Sequence, residues 1–135
     1  MFVRSFHFYA MLFLVPLAVW GCSSAPKPPP PPSGADGLAE LVKVYEYIEY
    51  SKLPPPGKLA DFDQHWDNMP NAYSRIQSGE YVVAWGVGHS KAPGAGQQIL
   101  AYEKKAAAEG GAVLLRDGTM KTMTAAEFAA APKAK

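Results

Sequence analysis

Five consecutive prolines, Pro28 to Pro32, divide this 135-residue chain into parts that cannot share one core. Each proline fixes φ and removes a backbone donor, so the run fits neither a helix interior nor a central strand. Ser23-Ser24-Ala25-Pro26-Lys27 precedes it and Ser33-Gly34 follows, and the whole stretch predicts an extended polyproline II spacer. At ~3.1 Å per residue it would hold the chain that follows roughly 30 Å from whatever lies before it. A proline run is also a ligand for aromatic grooves, but its position between two dissimilar segments favours the spacer.

The segment before the spacer has one charged residue, Arg4, and from Phe8 to Gly21 there are 14 residues without charge. A membrane-spanning helix needs about 20 apolar residues, and Pro16 interrupts this run. Residues 1–21 therefore predict a removable signal peptide rather than a permanent anchor. The run closes as Leu17-Ala18-Val19-Trp20-Gly21-Cys22, on the chain's single cysteine. One thiol cannot make an internal disulfide, so it is paired between chains, free or modified. Its place at the end of the apolar run selects modification.

With Val19 and Gly21 before Cys22, this junction resembles the lipobox of bacterial lipoproteins. The resemblance implies that Cys22 is lipidated and becomes the mature N-terminus, with residues 22–35 forming the lipidated cysteine and its proline-rich linker. The family carries a diacylglyceryl group, usually with a third chain such as palmitate on the amine. Two or more chains give stable attachment, at ~0.8 kcal/mol per buried methylene. Ser23, in place of an aspartate, implies no retention at the inner membrane. The expected location is thus the bacterial cell envelope, lipid-anchored at the outer membrane and facing the periplasm, with the membrane as first partner.

Residues 36–131 predict a single globular α+β domain, with 132–135 as a tail. Apolar residues make up 48% of the chain, enough for a packed core. Once Arg4 is removed, acidic and basic residues balance, which leaves no footprint for nucleic acid and no polybasic lipid patch.

Asp36 predicts the cap of a helix reaching about Lys52, with Leu38, Leu41, Tyr45 and Ile48 on one stripe. Tyr45, Tyr47 and Tyr50 are expected at the core's edge, their hydroxyls in water. Pro54-Pro55-Pro56-Gly57 ends that helix. A short helix from Lys58 aligns Leu59, Phe62 and Trp66, and another opens at Pro70, runs through Ile76 and stops by Gly79. From Tyr81 the period changes to that of strands. Tyr81–Trp85 reads as a buried strand, which places Trp85 in the core, and Gln98–Glu103 as a second. Lys104 to Gly111 can begin with a helical turn. Ala112–Arg116 and Thr119–Met123 flank Asp117-Gly118, a hairpin signal. Thr124 and Glu127 form a capping box for a short C-terminal helix that turns Phe128 inward. The expected fold is an N-terminal helix packed on an antiparallel sheet of three to four strands, with that short helix at the end.

Chemistry is sparse. Asp61-x-Asp63-x-His65-x-Asp67 has the look of a metal site, but an EF-hand loop needs glycine at its sixth position and glutamate at its twelfth. Trp66 and Ala72 stand there, and a solvated helix face is expected. Gly86-x-Gly88 follows a strand, but the phosphate-binding pattern needs a third glycine and a following helix. Residues 86–96 predict a flexible connection. His65 and His89 carry no nucleophile motif, and Ser90 beside His89 is not a triad. No catalytic residue, cofactor or metal ligand is expected, and Cys22 is the one assigned site.

The stretch from Tyr45 to Pro56 together with Val113 to Phe128, a helix, a proline loop and an Asp-Gly hairpin leading to a capped helix, resembles a pseudopilin globular domain. That likeness implies a lipoprotein accessory subunit of a secretion system. Pseudopilins keep their hydrophobic helix, however, whereas here it precedes the lipobox and is removed. Residues 79–128 also resemble small exported proteins of planctomycete-type bacteria, which implies no activity. The expected role is a non-catalytic binding or structural domain on a lipid anchor, its partner another envelope protein or the cell wall. The competing expectation is a small hydrolase using His65 or His89 with nearby carboxylates.

Overall fold

The computed structural model of this chain describes residues 34–135. The signal peptide, Cys22 and the linker through Ser33, as read from the sequence, lie outside the described residues; Gly34 and Ala35, read as the end of the linker, belong instead to the start of the first helix. Helix α1 spans Ala35–Tyr50 and buries Leu38, Leu41, Val44, Tyr45 and Ile48, the stripe that the 3-4-3 spacing predicts. Its cap is not Asp36. The helix begins one residue earlier, after Gly34 in the left-handed region at φ 103°, and Asp36 sits in the first turn, where it complements the helix dipole. At the other end the Leu53 amide donates to Ile48 O at 3.0 Å and the Lys52 amide to Glu49 O at 3.2 Å. This is the Schellman closure, with Lys52 at φ 57° in the position that glycine usually takes.

The next element is a 3-10 helix, Leu59–Asn68, opened by the Asp61 carboxylate, which accepts from the Gly57 amide at 2.8 Å and the Lys58 amide at 3.2 Å. Three residues per turn, rather than 3.6, change which side chains share a face. The inward row becomes Leu59, Phe62 and His65, so Phe62 and His65 are buried while Trp66 is 59% exposed. The expected alignment of Leu59, Phe62 and Trp66 is thereby corrected. Helix α2, Pro70–Gln77, follows with proline at its first position. Its amino end is capped from α1, the Glu40 carboxylate accepting from the Ala72 amide.

Strands β1 (Tyr81–Val83), β2 (Ile99–Glu103), β3 (Gly111–Leu115) and β4 (Met120–Met123) form one antiparallel sheet in chain order. Between β1 and β2 lies the glycine-rich connection, with a 3-10 turn at Ala95–Gln97. Between β2 and β3 lies the short helix α3, Ala106–Glu109. Pairing of Ile99 with Leu115 and of Ala101 with Leu114 leaves Leu100 as an extra residue, a bulge. The hairpin at Asp117-Gly118 has a three-residue loop, Arg116 to Gly118. Leu115 N donates to Thr119 O, and Gly118 takes the left-handed conformation at φ 88°.

β1 ends two residues before Trp85, which is 39% exposed and leans on Phe62, ring centroids 5.9 Å apart. Trp85 is therefore not a core strand residue as the β-forming run predicts. The backbone turns at Gly86, whose amide donates to Pro56 O, and this pulls the chain out of the sheet.

Both faces of the sheet are covered, so β3 is buried along its whole length. Leu100, Ala101, Ala112 and Leu114 pack with α1, the 3-10 helix and α2. Ile99, Val113, Leu115 and Met123 pack on the other face with Ala106 and Phe128. Helix α4, Ala125–Ala130, carries the expected box: Thr124 Oγ1 accepts from the Glu127 amide, and the Glu127 carboxylate from the Thr124 amide. Residues 132–135, expected as a tail, are docked. Ile99 donates to Pro132 O and accepts from Ala134 N, both at 2.9 Å, and Ala134 is buried. Lys133 Nζ caps α4 through the carbonyls of Phe128 and Ala131 while lying 3.9 Å from the Phe128 ring centroid.

Candidate functional site

The carboxy-terminal half of α1 faces the 3-10 helix across a cleft of about 670 Å³, lined by Lys43, Val44, Tyr47, Gln64, His65 and Asn68. Two periodicities build it. Lys43 and Tyr47 are one α-helical turn apart on α1, so they share a stripe. His65 and Asn68 are one 3-10 turn apart on the opposite wall. The Tyr47 ring is 54% exposed and stands edge-on to His65, with centroids 5.5 Å apart. His65 itself is only 9% exposed, and its Nε2 has no hydrogen-bond partner. An unpaired buried polar atom costs about 1–3 kcal/mol, and this one is closed off from solvent inside the wall. A second hollow of about 560 Å³ adjoins across Gln64 and His65, walled by Leu53 and the three prolines.

Around the carboxy-terminal end of α1, His89 reaches back from the glycine-rich connection, and its Nδ1 stands 2.5 Å from Glu49 Oε2. An ionised carboxylate only accepts, so Nδ1 carries the proton. This hydrogen bond holds the Glu49 carboxyl below the usual carboxylate range. The His89 side chain is 2% exposed, against 45% for Glu49. Its Nε2 faces the Gly118 backbone so closely that a Cβ there would lie 2.9 Å away. Arg116 fixes the same connection from the sheet, its Nε donating to Gly88 O at 3.1 Å, and Ser90 N donates to Arg116 O. Residues 86–90 are thus tied at several points, unlike the flexible connection expected for this stretch. Tyr45 lines a hollow of about 300 Å³ with Glu49 and His89. It is buried rather than at the core's edge, its hydroxyl is unpaired, and burial pushes its pKa up. Tyr47 and Tyr50 do reach water, the latter 86% exposed.

The acidic run disperses. Asp61 caps the 3-10 helix, Asp63 accepts from the Tyr73 hydroxyl at 2.6 Å, and Asp67 accepts from Asn68 Nδ2 at 3.2 Å. Among the described residues, no group of three histidine, cysteine or acidic side chains could hold a metal ion. The Ser90 hydroxyl accepts from the Ala92 amide and caps its own turn. The structure does join one histidine to a carboxylate, His89 to Glu49, but turns the free nitrogen onto backbone. His65 shares the adjoining hollow with Asp61 and Asp63, but no hydrogen bond joins it to either, since Asp61 holds the Gly57 and Lys58 amides and Asp63 the Tyr73 hydroxyl. Neither pairing was legible in the sequence. Glu49 and His89 lie far apart along the chain, and His65 enters the wall only because the helix is 3-10.

Compared with protein-family models, with curated proteins and with solved structures, the chain matches none. No helix among the described residues is long and apolar enough to cross a membrane.

Proposed function

We propose that this chain is a lipid-anchored envelope protein whose domain binds a ligand and does not transform it. The anchor rests on the Gly21-Cys22 junction and the proline spacer after it. The binding role rests on one observation, the cleft between α1 and the 3-10 helix in which the half-exposed Tyr47 ring stands edge-on to His65. Catalysis is disfavoured by the state of the second histidine: Glu49 holds its Nδ1, and its unpaired Nε2 is buried against the Gly118 backbone, away from solvent.

Two measurements test this reading. Labelling with a palmitate analogue should mark the wild-type chain and not Cys22→Ser, and label retained in the serine variant would overturn the anchor. Fractions of envelope extract, titrated into the purified protein, should include one that moves the His65 ring resonances while leaving those of His89 in place. If no fraction moves His65, the cleft is not a binding site.

A further inference from the structure

Resting on that binding reading, we propose that the cleft between α1 and the 3-10 helix takes an extended proline-rich segment, and that its occupant is this chain's own run from Pro26 to Pro32. Proline has no N–H, so from Pro28 to Pro32 the run offers carbonyl acceptors and apolar rings but no backbone donor. The cleft answers with donors. The Lys43 ammonium, the Tyr47 hydroxyl and the Gln64 and Asn68 amides line it, and no carboxylate does. Asn68 spends one N–H on Asp67 and keeps the other. The Tyr47 ring, edge-on to His65, leaves an exposed face for a proline ring, the contact that aromatic grooves make with polyproline II segments.

Reach and charge select this segment. From Gly34 to Tyr47, α1 rises about 20 Å at ~1.5 Å per residue. The residues from Ser33 back to Lys27 cover roughly 19 Å in polyproline II. Gly34 lies in the left-handed region at φ 103°, which lets the preceding chain reverse over α1. Laid back in this way, the run follows the exposed row Asp36, Lys43 and Tyr47 and brings Lys27 level with Glu46 and Tyr47. Lys27 is the only charged residue between Arg4 and Asp36. The surroundings of the cleft are acidic: Glu40 and Glu46 lie one turn from Lys43 on α1, and Asp63 and Asp67 flank the opposite wall. That rim attracts one cation and does not oppose neutral prolines. A tether this short holds the run at a local concentration on the order of millimolar, so weak contacts suffice to dock it.

The test is NMR of the full chain in detergent, comparing the wild type with a variant that combines Pro28→Ser, Pro29→Ser, Pro30→Ser, Pro31→Ser and Pro32→Ser. The serine variant should move the side-chain resonances of Tyr47, Gln64 and Asn68 at every dilution while leaving those of Phe128 in place. Unmoved cleft resonances would overturn the proposal. A synthetic peptide of residues 24–33 should bind the serine variant at least ~10-fold more tightly than the wild type, whose own run competes. Equal affinity for the two would show the run undocked and overturn it. Differences that fade on dilution would assign the cleft to a neighbouring copy's run and overturn it as well. If an envelope fraction moves His65 while the serine variant moves nothing in the cleft, the proline occupant falls and the binding reading stands. If neither does, both fall.

Discussion

The Glu40 carboxylate on α1 is the amino-terminal cap of α2. Its Oε2 accepts from the Ala72 amide at 2.9 Å, and its Oε1 from Asn71 Nδ2 at 2.7 Å. The residue before α2, Met69, is buried and supplies no side-chain cap of its own. A carboxylate at that end satisfies an orphan N–H and opposes the helix dipole. Glu40→Ala should therefore cost about 1–2 kcal/mol, and Glu40→Gln less, since the amide keeps an acceptor. Urea melts give the totals, and faster exchange of the Ala72 amide would localise the loss.

Lys52 closes α1 in a conformation that costs a side-chain-bearing residue ~1–2 kcal/mol. Glycine removes that cost and returns part of it as unfolded-state entropy. Lys52→Gly should stabilise the domain by about 0.5–1 kcal/mol. A lowered urea midpoint would mean that the lysine side chain contributes more than its backbone costs.

Phe62 and Trp85 touch, yet their environments differ. Phe62 is fully buried and meets Tyr45 edge-on at 6.0 Å, whereas Trp85 is 39% exposed. Phe62→Ala should cost ~3–5 kcal/mol. Trp85→Ala should cost about 1 kcal/mol. Equal losses in urea melts would show that Trp85 anchors the connection to Pro56 as well as covering Phe62.

Acid should unfold this domain partly through carboxylates that accept hydrogen bonds in the folded state. The Thr124 amide, then its hydroxyl, holds Glu127 below the usual range, and the hydrogen bond from His89 does the same for Glu49. A depressed folded pKa contributes stability that is present above the unfolded value, roughly 4.3, and lost as pH falls through the folded value. Stability should accordingly drop below about pH 4.3, and Glu127→Gln should show a shallower drop from a lower starting point. Chemical denaturation at a series of pH values measures both.

Elements set by local chemistry were legible in the chain. Pro70 at a helix start, the Thr124–Glu127 box and the Asp117-Gly118 turn each act over a few residues, and the structure keeps all three. Local pattern misleads where a distant partner or a changed period decides. A 3.6-residue repeat places Trp66 inward, but the chain winds with three and turns His65 in. Trp85 is a strong strand former, and the Gly86–Pro56 hydrogen bond removes it from the sheet. Tyr45 has the pattern of an edge tyrosine, but Phe62 covers it from the 3-10 helix. The candidate cleft depends on one of these changes, the three-residue winding that turns His65 in, and so is not legible in the chain while the α+β architecture is.

The order β1-β2-β3-β4 has a kinetic consequence. Each strand pairs with its neighbour in sequence; the β2–β3 and β3–β4 ladders close over seven and four residues and give up little chain entropy before their hydrogen bonds form, whereas β1 and β2 are joined by 15. The docking of α1 over β3 and the bridge from Ile99 to Lys133 span much longer stretches. Hairpins therefore assemble early, and covering the two faces of the sheet is the slow step. Substitutions in the α1 stripe should speed unfolding more than those at the Asp117-Gly118 turn, which should chiefly slow refolding.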